Sequence, residues 1–235
     1  MDDRHEVPPR SLIPGKHRRP QPYIYSPDQI RRLIEGAAVL PSPNGIRGLT
    51  YSTLFGLIAV TGMRVSEAIA LDVTDVDLET GVITVRRGKS AKERLLPVDP
   101  SVSQRLGAYA RERDRLLGQT PSCFFVSDAG TRPDDCAVRY NFAVVGQRMQ
   151  LRPVQRFGRH GRGPRIHDLR HTFAVHTLMD WYREGKDAGR EMMQLTTYLG
   201  HTKPAHTYWY IQAIPELMEL AARRSASRLE TEVRP

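Results

Sequence analysis

Apolar positions along the chain recur mostly at three- and four-residue intervals, the period of amphipathic helices, and only a few short runs read as strands. Ser26-Pro27-Asp28-Gln29 predicts a clean helix start, with Ser26 as N-cap, Pro27 at the first helical position and Gln29 closing a capping box. Ile30, Leu33, Ile34 and Ala37 then supply its inward face. Residues 47–60 read as a second helix, nearly all apolar toward its end and therefore central, and Gly62 suits its C-terminus. The segment "RVSEAIAL" restarts helically one turn later, which leaves Arg64 at a joint between two buried segments. Val82 to Val85 and Arg94 to Val98 predict a β-hairpin whose tip, "RRGKSAKE", is basic. Ser101 to Leu117 and residues 134–149 predict helices, and Phe124-Phe125-Val126 a further strand. Helices follow from about His167 to Tyr182, over "REMMQLTTYLGH" to Gly200, and from Pro215 to Leu229, where Leu217, Leu220 and Ala221 face one way. The fold class expected is mainly α with a small antiparallel β-sheet.

One helix departs from the ordinary pattern. His167, Arg170 and His171 share a face with Ala174, while Leu169, Phe173 and Leu178 lie toward another and pack inward. A buried arginine is costly unless an anion pairs with it, and no acid within this run is placed to satisfy Arg170. An anion from outside the chain is therefore expected here.

Charge points the same way. Lys+Arg 35 against Asp+Glu 26 gives a net charge of +9, which favours a polyanionic partner. Residues 1–25 carry arginines, a lysine and prolines with little to fold around, and are expected to form a flexible basic arm ahead of one domain over 26–235. Residues 150–166 hold five arginines and His160 among glycines and prolines, a basic loop suited to phosphate contacts. Cys123 and Cys136 have no metal-type spacing and make no disulfide framework, so a reducing cytoplasm is the simpler expectation. The most apolar run, "LFGLIAV" at 54–60, is far too short to span a bilayer.

Two arginines and two histidines, Arg64, Arg170, His167 and His201, can surround a phosphate, because guanidiniums pair with its oxygens bidentately and imidazoles add donors or acceptors. There is no "GxxxxGK[ST]" loop and no acidic cluster for magnesium. The nucleophile should then come from the protein, and tyrosines are available near the C-terminus.

"TGMRVSEAIAL", "RGKSAKERLLPV", "HDLRHTFAVHTL", "LGH" and a tyrosine nine residues after that histidine resemble, in order, the catalytic domain of the tyrosine recombinases, or phage integrases. The resemblance implies strand cleavage and rejoining of double-stranded DNA in site-specific recombination through a 3′-phosphotyrosyl link, with neither ATP nor metal. It implies that Arg64 and Arg170 clamp the phosphate, Tyr210 attacks, and Lys89 on the hairpin tip protonates the leaving oxygen. His167 would act as proton acceptor or organiser, His201 would donate to the phosphate, and Glu67 would support the cluster. Lys92, Arg94, Arg156, Arg159, Arg162 and Arg165 are the expected DNA contacts. Tyr208 competes with Tyr210 as nucleophile, but the family's spacing from the histidine favours Tyr210. His171 is expected to be a structural neighbour. Enzymatic and non-enzymatic alternatives are relaxation of DNA as by a type IB topoisomerase and silent DNA binding. A tetramer on DNA is implied, with the terminal helix either docking on a neighbouring protomer or packing on its own domain, and a cytoplasmic, nucleoid-associated location. Family members usually carry a helical core-binding domain ahead of the catalytic one. Here it is expected to be absent, in a fragment or a minimal recombinase, so DNA binding should be weak and depend strongly on salt.

Overall fold

The computed structural model describes residues 21–86, 93–153, 163–200, 207–210 and 214–222. In chain order the elements are α1 (Pro27–Ala38), α2 (Ile46–Thr61), α3 (Val65–Ala70), a 3-10 turn at Val73–Asp75, β1 (Val76–Asp77), β2 (Val82–Val85), β3 (Arg94–Pro97), α4 (Pro100–Leu117), α5 (Asp135–Arg148), α6 (Ile166–Arg183) and α7 (Ala188–Leu199). A helical turn at 207–210 and a helix over 215–222 complete the described chain. Among the described residues no helix is long and apolar enough to cross a membrane.

Local chemistry accounts for most boundaries. The Ser26 side chain accepts from the Gln29 amide at 3.2 Å while the Gln29 side chain accepts from the Ser26 amide at 2.9 Å, the reciprocal box expected. Asp99 and Asp134 cap α4 and α5 without a reciprocal box, their side chains accepting backbone amide protons from the first turn. Gly62 ends α2 in the left-handed conformation, with φ 62°. β2 pairs antiparallel with β3, Val82 opposite Pro97 and Val85 opposite Arg94. β1, which the sequence pattern does not announce, adds a third strand on the other edge of β2.

One expectation needs correcting. Residues 124–126 form no strand: a single bridge joins Cys123 to Asp72, and the Val126 amide donates to the Tyr109 hydroxyl at 3.3 Å. Phe124, Phe125 and Val126 are buried on every side, so the apolar run reflects core rather than a pleated face. Of the arm expected over 1–25, only residues 21–25 are described, and the last of them is packed. Tyr25 is buried, its amide donates to Thr172 Oγ1 at 3.0 Å and its hydroxyl donates to the Arg165 carbonyl at 3.3 Å, so it ties the start of the domain to α6. Residues 1–20 lie outside the described residues.

Two large apolar clusters, with a small third of Ile46, Cys123 and Val126, make the core of the described residues. One joins α1 to α5 and the sheet and takes in Ile166 and Leu169 from the start of α6. The other gathers Ala174, Val175 and Leu178 of α6 with Leu195 and Leu199 of α7, Tyr210, Ile214 and Leu217. α6 therefore crosses from one cluster to the other, and Arg170 and His171 stand at the seam.

That seam makes Gly62 sensitive. A Cβ there would lie 2.5 Å from the Phe173 ring and 2.9 Å from Leu199, in a left-handed conformation that L-residues adopt at a cost of about 1–2 kcal/mol. Gly118, which ends α4 with φ 69° and has open space around it, bears only the conformational cost. Thermal melts should show Gly118→Ala losing about 1 kcal/mol and Gly62→Ala losing clearly more, on the order of 3 kcal/mol, because overpacking adds to the strain.

Candidate active site

α6 turns its polar face into the seam. The Arg170 guanidinium is 2 % exposed, and it donates to the Gly62 carbonyl at 2.6 Å and to the Leu199 carbonyl at 2.7 Å. These carbonyls end α2 and α7, where unpaired oxygens carry the negative pole of each helix. The expectation that only an outside anion could satisfy Arg170 is thus corrected: two helix ends supply acceptors. They do not neutralise it. Burial, followed by the nearby Arg64 charge, lowers its pKa to about 10, so the group stays cationic at neutral pH.

Arg64 precedes α3, whose first turn supplies Glu67. The Glu67 carboxylate accepts from the Arg64 backbone amide at 2.9 Å and from the Arg64 guanidinium at 2.5 Å. It also receives both terminal nitrogens of Arg94, at 3.0 and 2.6 Å. Burial alone would raise its pKa, but the hydrogen bonds and charges of Arg94 and Arg64 outweigh that and hold it at about 2. Arg64 further donates to the Gly200 carbonyl at 2.9 Å, and Arg94 to the Tyr198 carbonyl at 3.0 Å. With Arg170 on Leu199, three consecutive carbonyls at the end of α7 each accept from a different arginine.

Arg94 therefore does not project outward to DNA as expected. Its side chain is 12 % exposed and engaged with Glu67 and α7. The signal was present in the strand period, because Arg94 lies two residues from the buried Leu96 and so on the inward face of β3.

Tyr210, itself 1 % exposed, joins the cluster from the turn at 207–210 and interacts with the Arg170 charge. Its hydroxyl lies 2.8 Å from Nδ1 of His171. This histidine, expected as a structural neighbour, touches the nucleophile proposed from the sequence. Its place on the buried stripe of α6, with Ala174, Val175 and Leu178 following at helical spacing, is the signal that points inward. His167 is exposed, one turn back, with its ring 4.6 Å from that of His171. Tyr208, by contrast, is 45 % exposed. Arg165, exposed at the N-terminus of α6, is the one member of the expected basic DNA contacts, Arg94 aside, within the described residues. Lys89, Lys92, Arg156, Arg159, Arg162 and His201 lie outside them.

Residues 24–216 match the phage integrase family. The chain belongs to that family. The putative integrase/recombinase y4rB of Sinorhizobium fredii is 38% identical over 234 residues, covering 97% of this chain and 73% of the relative. The tyrosine recombinase XerD of Caulobacter vibrioides is 29% identical, over 91% of this chain and 65% of its own length. Among solved structures, XerA recombinase superposes with a TM-score of 0.64 at 26% identity, covering 97% of this chain and 70% of that one. The catalytic domain of bacteriophage HP1 integrase shares the fold, with a TM-score of 0.53 at 22% identity over 85% of this chain and 93% of that one. The integrase catalytic fold expected from the motifs is the fold observed, and the activity is that of the site-specific tyrosine recombinases, DNA cleavage and strand exchange. Neither the topoisomerase alternative nor the silent binder is favoured.

In this integrase domain Glu67 is the single carboxylate seen holding two of the three arginines. Its pKa falls from 4.5 in the unfolded chain to about 2 when folded, so its stabilisation is fully present above pH 4.5 and is lost as pH falls toward 2. The shift corresponds to about 3 kcal/mol. Urea unfolding between pH 6 and pH 2 should show wild type losing roughly that much more stability than Glu67→Gln over the acid range, and the variant already less stable at neutral pH.

Proposed function

We propose that this domain cleaves and rejoins one DNA strand at a time through a 3′-phosphotyrosyl intermediate, with the cluster around α6 as its active site. Arg64 and Arg170 hold the non-bridging oxygens of the scissile phosphate and stabilise the charge of the pentacoordinate transition state. The oxygen of Tyr210 bonds to phosphorus as the bond to the 5′ oxygen breaks. That leaving oxygen takes a proton from Lys89, while His201 donates to the phosphate and His167 serves as proton acceptor or organiser. Glu67 supports the arginines without touching substrate. ATP and metal have no step to perform, because the phosphotyrosine retains the energy of the broken bond.

One observation carries this reading above the others: Tyr210 and the two arginines that a phosphate would need converge at one seam, from three separate stretches of chain. A guanidinium has five N–H donors, and the bonds described use two on each of Arg64 and Arg170. Phosphate oxygens can therefore be taken up without dismantling the helix-end contacts. A protein of the same fold, the XerH site-specific recombinase, has been solved bound to a palindromic difH substrate.

Arg165 joins Lys92, Arg156, Arg159 and Arg162 as a DNA-backbone contact in this proposal, and Arg94 leaves that set. Assembly as a tetramer on DNA belongs to it as well. Leu217 is fully buried in the domain's own second cluster, so a neighbouring protomer would meet the outer face of the 215–222 helix, where Met218 is 52 % exposed, or residues beyond it.

On a nicked suicide DNA substrate, wild type should accumulate a covalent protein–DNA adduct in EDTA, Tyr208→Phe should retain it, and Tyr210→Phe should yield none. An adduct surviving in Tyr210→Phe, read by denaturing electrophoresis, sinks the assignment. Binding to the same DNA should weaken by on the order of tenfold or more between 50 and 200 mM salt, in proportion to the number of phosphates contacted.

A further inference from the structure

We infer that His171 is a catalytic residue of this reaction: its Nδ1 orients the Tyr210 hydroxyl and takes the phenolic proton as that oxygen attacks phosphorus. This rests on the reading of Tyr210 as nucleophile and assigns the proton's destination within it.

The contact is short and enclosed. Nδ1 and the hydroxyl are 2.8 Å apart, His171 is 7 % exposed and Tyr210 1 %. The two rings meet edge to face with centroids 5.5 Å apart, and the Trp209 indole lies 5.9 Å from the imidazole. In this step the hydroxyl donates and Nδ1 accepts, the tautomer that carries the ring proton on Nε2. Charged groups flank the imidazole. Arg170 is the next residue on α6, Arg64 stands before α3 and Arg94 on β3, with Glu67 as the acid among them and His167 one turn back on the same helix. As the Tyr210 oxygen bonds to phosphorus, its O–H bond breaks and an Nδ1–H bond forms. The phosphorus–5′ oxygen bond breaks with it, and Lys89 protonates the departing oxygen. Rejoining reverses each step, with imidazolium returning the proton to the tyrosine. His167, exposed and one turn away, is then the organiser and not the acceptor.

The opposite meaning of the same bond is that it parks the nucleophile and must break before attack. The direction of the mutational effect separates the two. Single-turnover adduct formation by the full chain on the nicked substrate should be measured from pH 5.5 to 9 for wild type, His171→Ala, His171→Asn and His167→Asn, with DNA affinity and thermal unfolding recorded alongside. His171→Ala should react about a hundredfold more slowly at unchanged DNA affinity. His171→Asn should recover part of that loss, since its amide oxygen can accept the hydrogen bond. It should also lack the decline of rate at low pH that wild type and His167→Asn both show. The proposal is overturned if either His171 variant reacts as fast as wild type or faster, or if His171→Asn keeps the acid limb. A wild type that forms no adduct overturns the recombinase reading along with it; an adduct-forming wild type with an unaffected His171→Asn overturns this proposal alone.

Discussion

Everything in the site depends on keeping three guanidiniums close together inside a protein. Like charges repel, and each loses water on burial, so without negative partners the arrangement would not hold. Glu67 supplies one full charge. The rest comes from backbone: the ends of α2 and α7 point their unpaired carbonyls into the seam, and Tyr198, Leu199 and Gly200 each receive one arginine. Helix termini are suited to this because their oxygens need partners in any case. The protein satisfies a buried helix end and a cationic cluster with the same hydrogen bonds.

This arrangement also couples parts of the site that belong to different elements. Arg94 links β3, and so the hairpin that carries Lys89 in the sequence, to Glu67 and to the last turn of α7. Arg64 links α3 to Gly200, the residue before His201. Arg170 joins α2 to α7. The close fit at Gly200, where a Cβ would lie 2.9 Å from an Arg94 nitrogen, shows how little room the clamp leaves. A cluster tied in this way is preorganised: its cations are gathered by Glu67 and the helix-end carbonyls, and no rearrangement is needed to bring them together.

Much of the fold was legible because its signals are local. Ser26 with Gln29, Gly62 past the end of an apolar helix, and the β-rich runs at Val82–Val85 and Arg94–Pro97 all act through neighbours in the chain. The misreadings share one cause. Phe124 to Val126 look like a strand because a buried loop is as apolar as a buried strand. Arg94 looks like a DNA contact because basic residues near a hairpin tip usually face solvent, and its acid partner is Glu67, 27 residues earlier. His171 looks redundant beside His167 until the chain returns Tyr210 to it, 39 residues later.

The sequence by itself determined the helical class, the caps, the family and which polar residues stand among apolar ones, because spacing along one helix or strand decides which side chains share a face. It did not determine their partners. Whether Arg170 meets an anion or the carbonyl of Gly62, 108 residues away, and which of two histidines meets Tyr210, depends on how α2, α6 and α7 pack. Hydrogen bonds a few ångströms long are decided only by that packing, since a half-turn rotation of one helix would preserve its own pattern and break the bonds it makes across the seam.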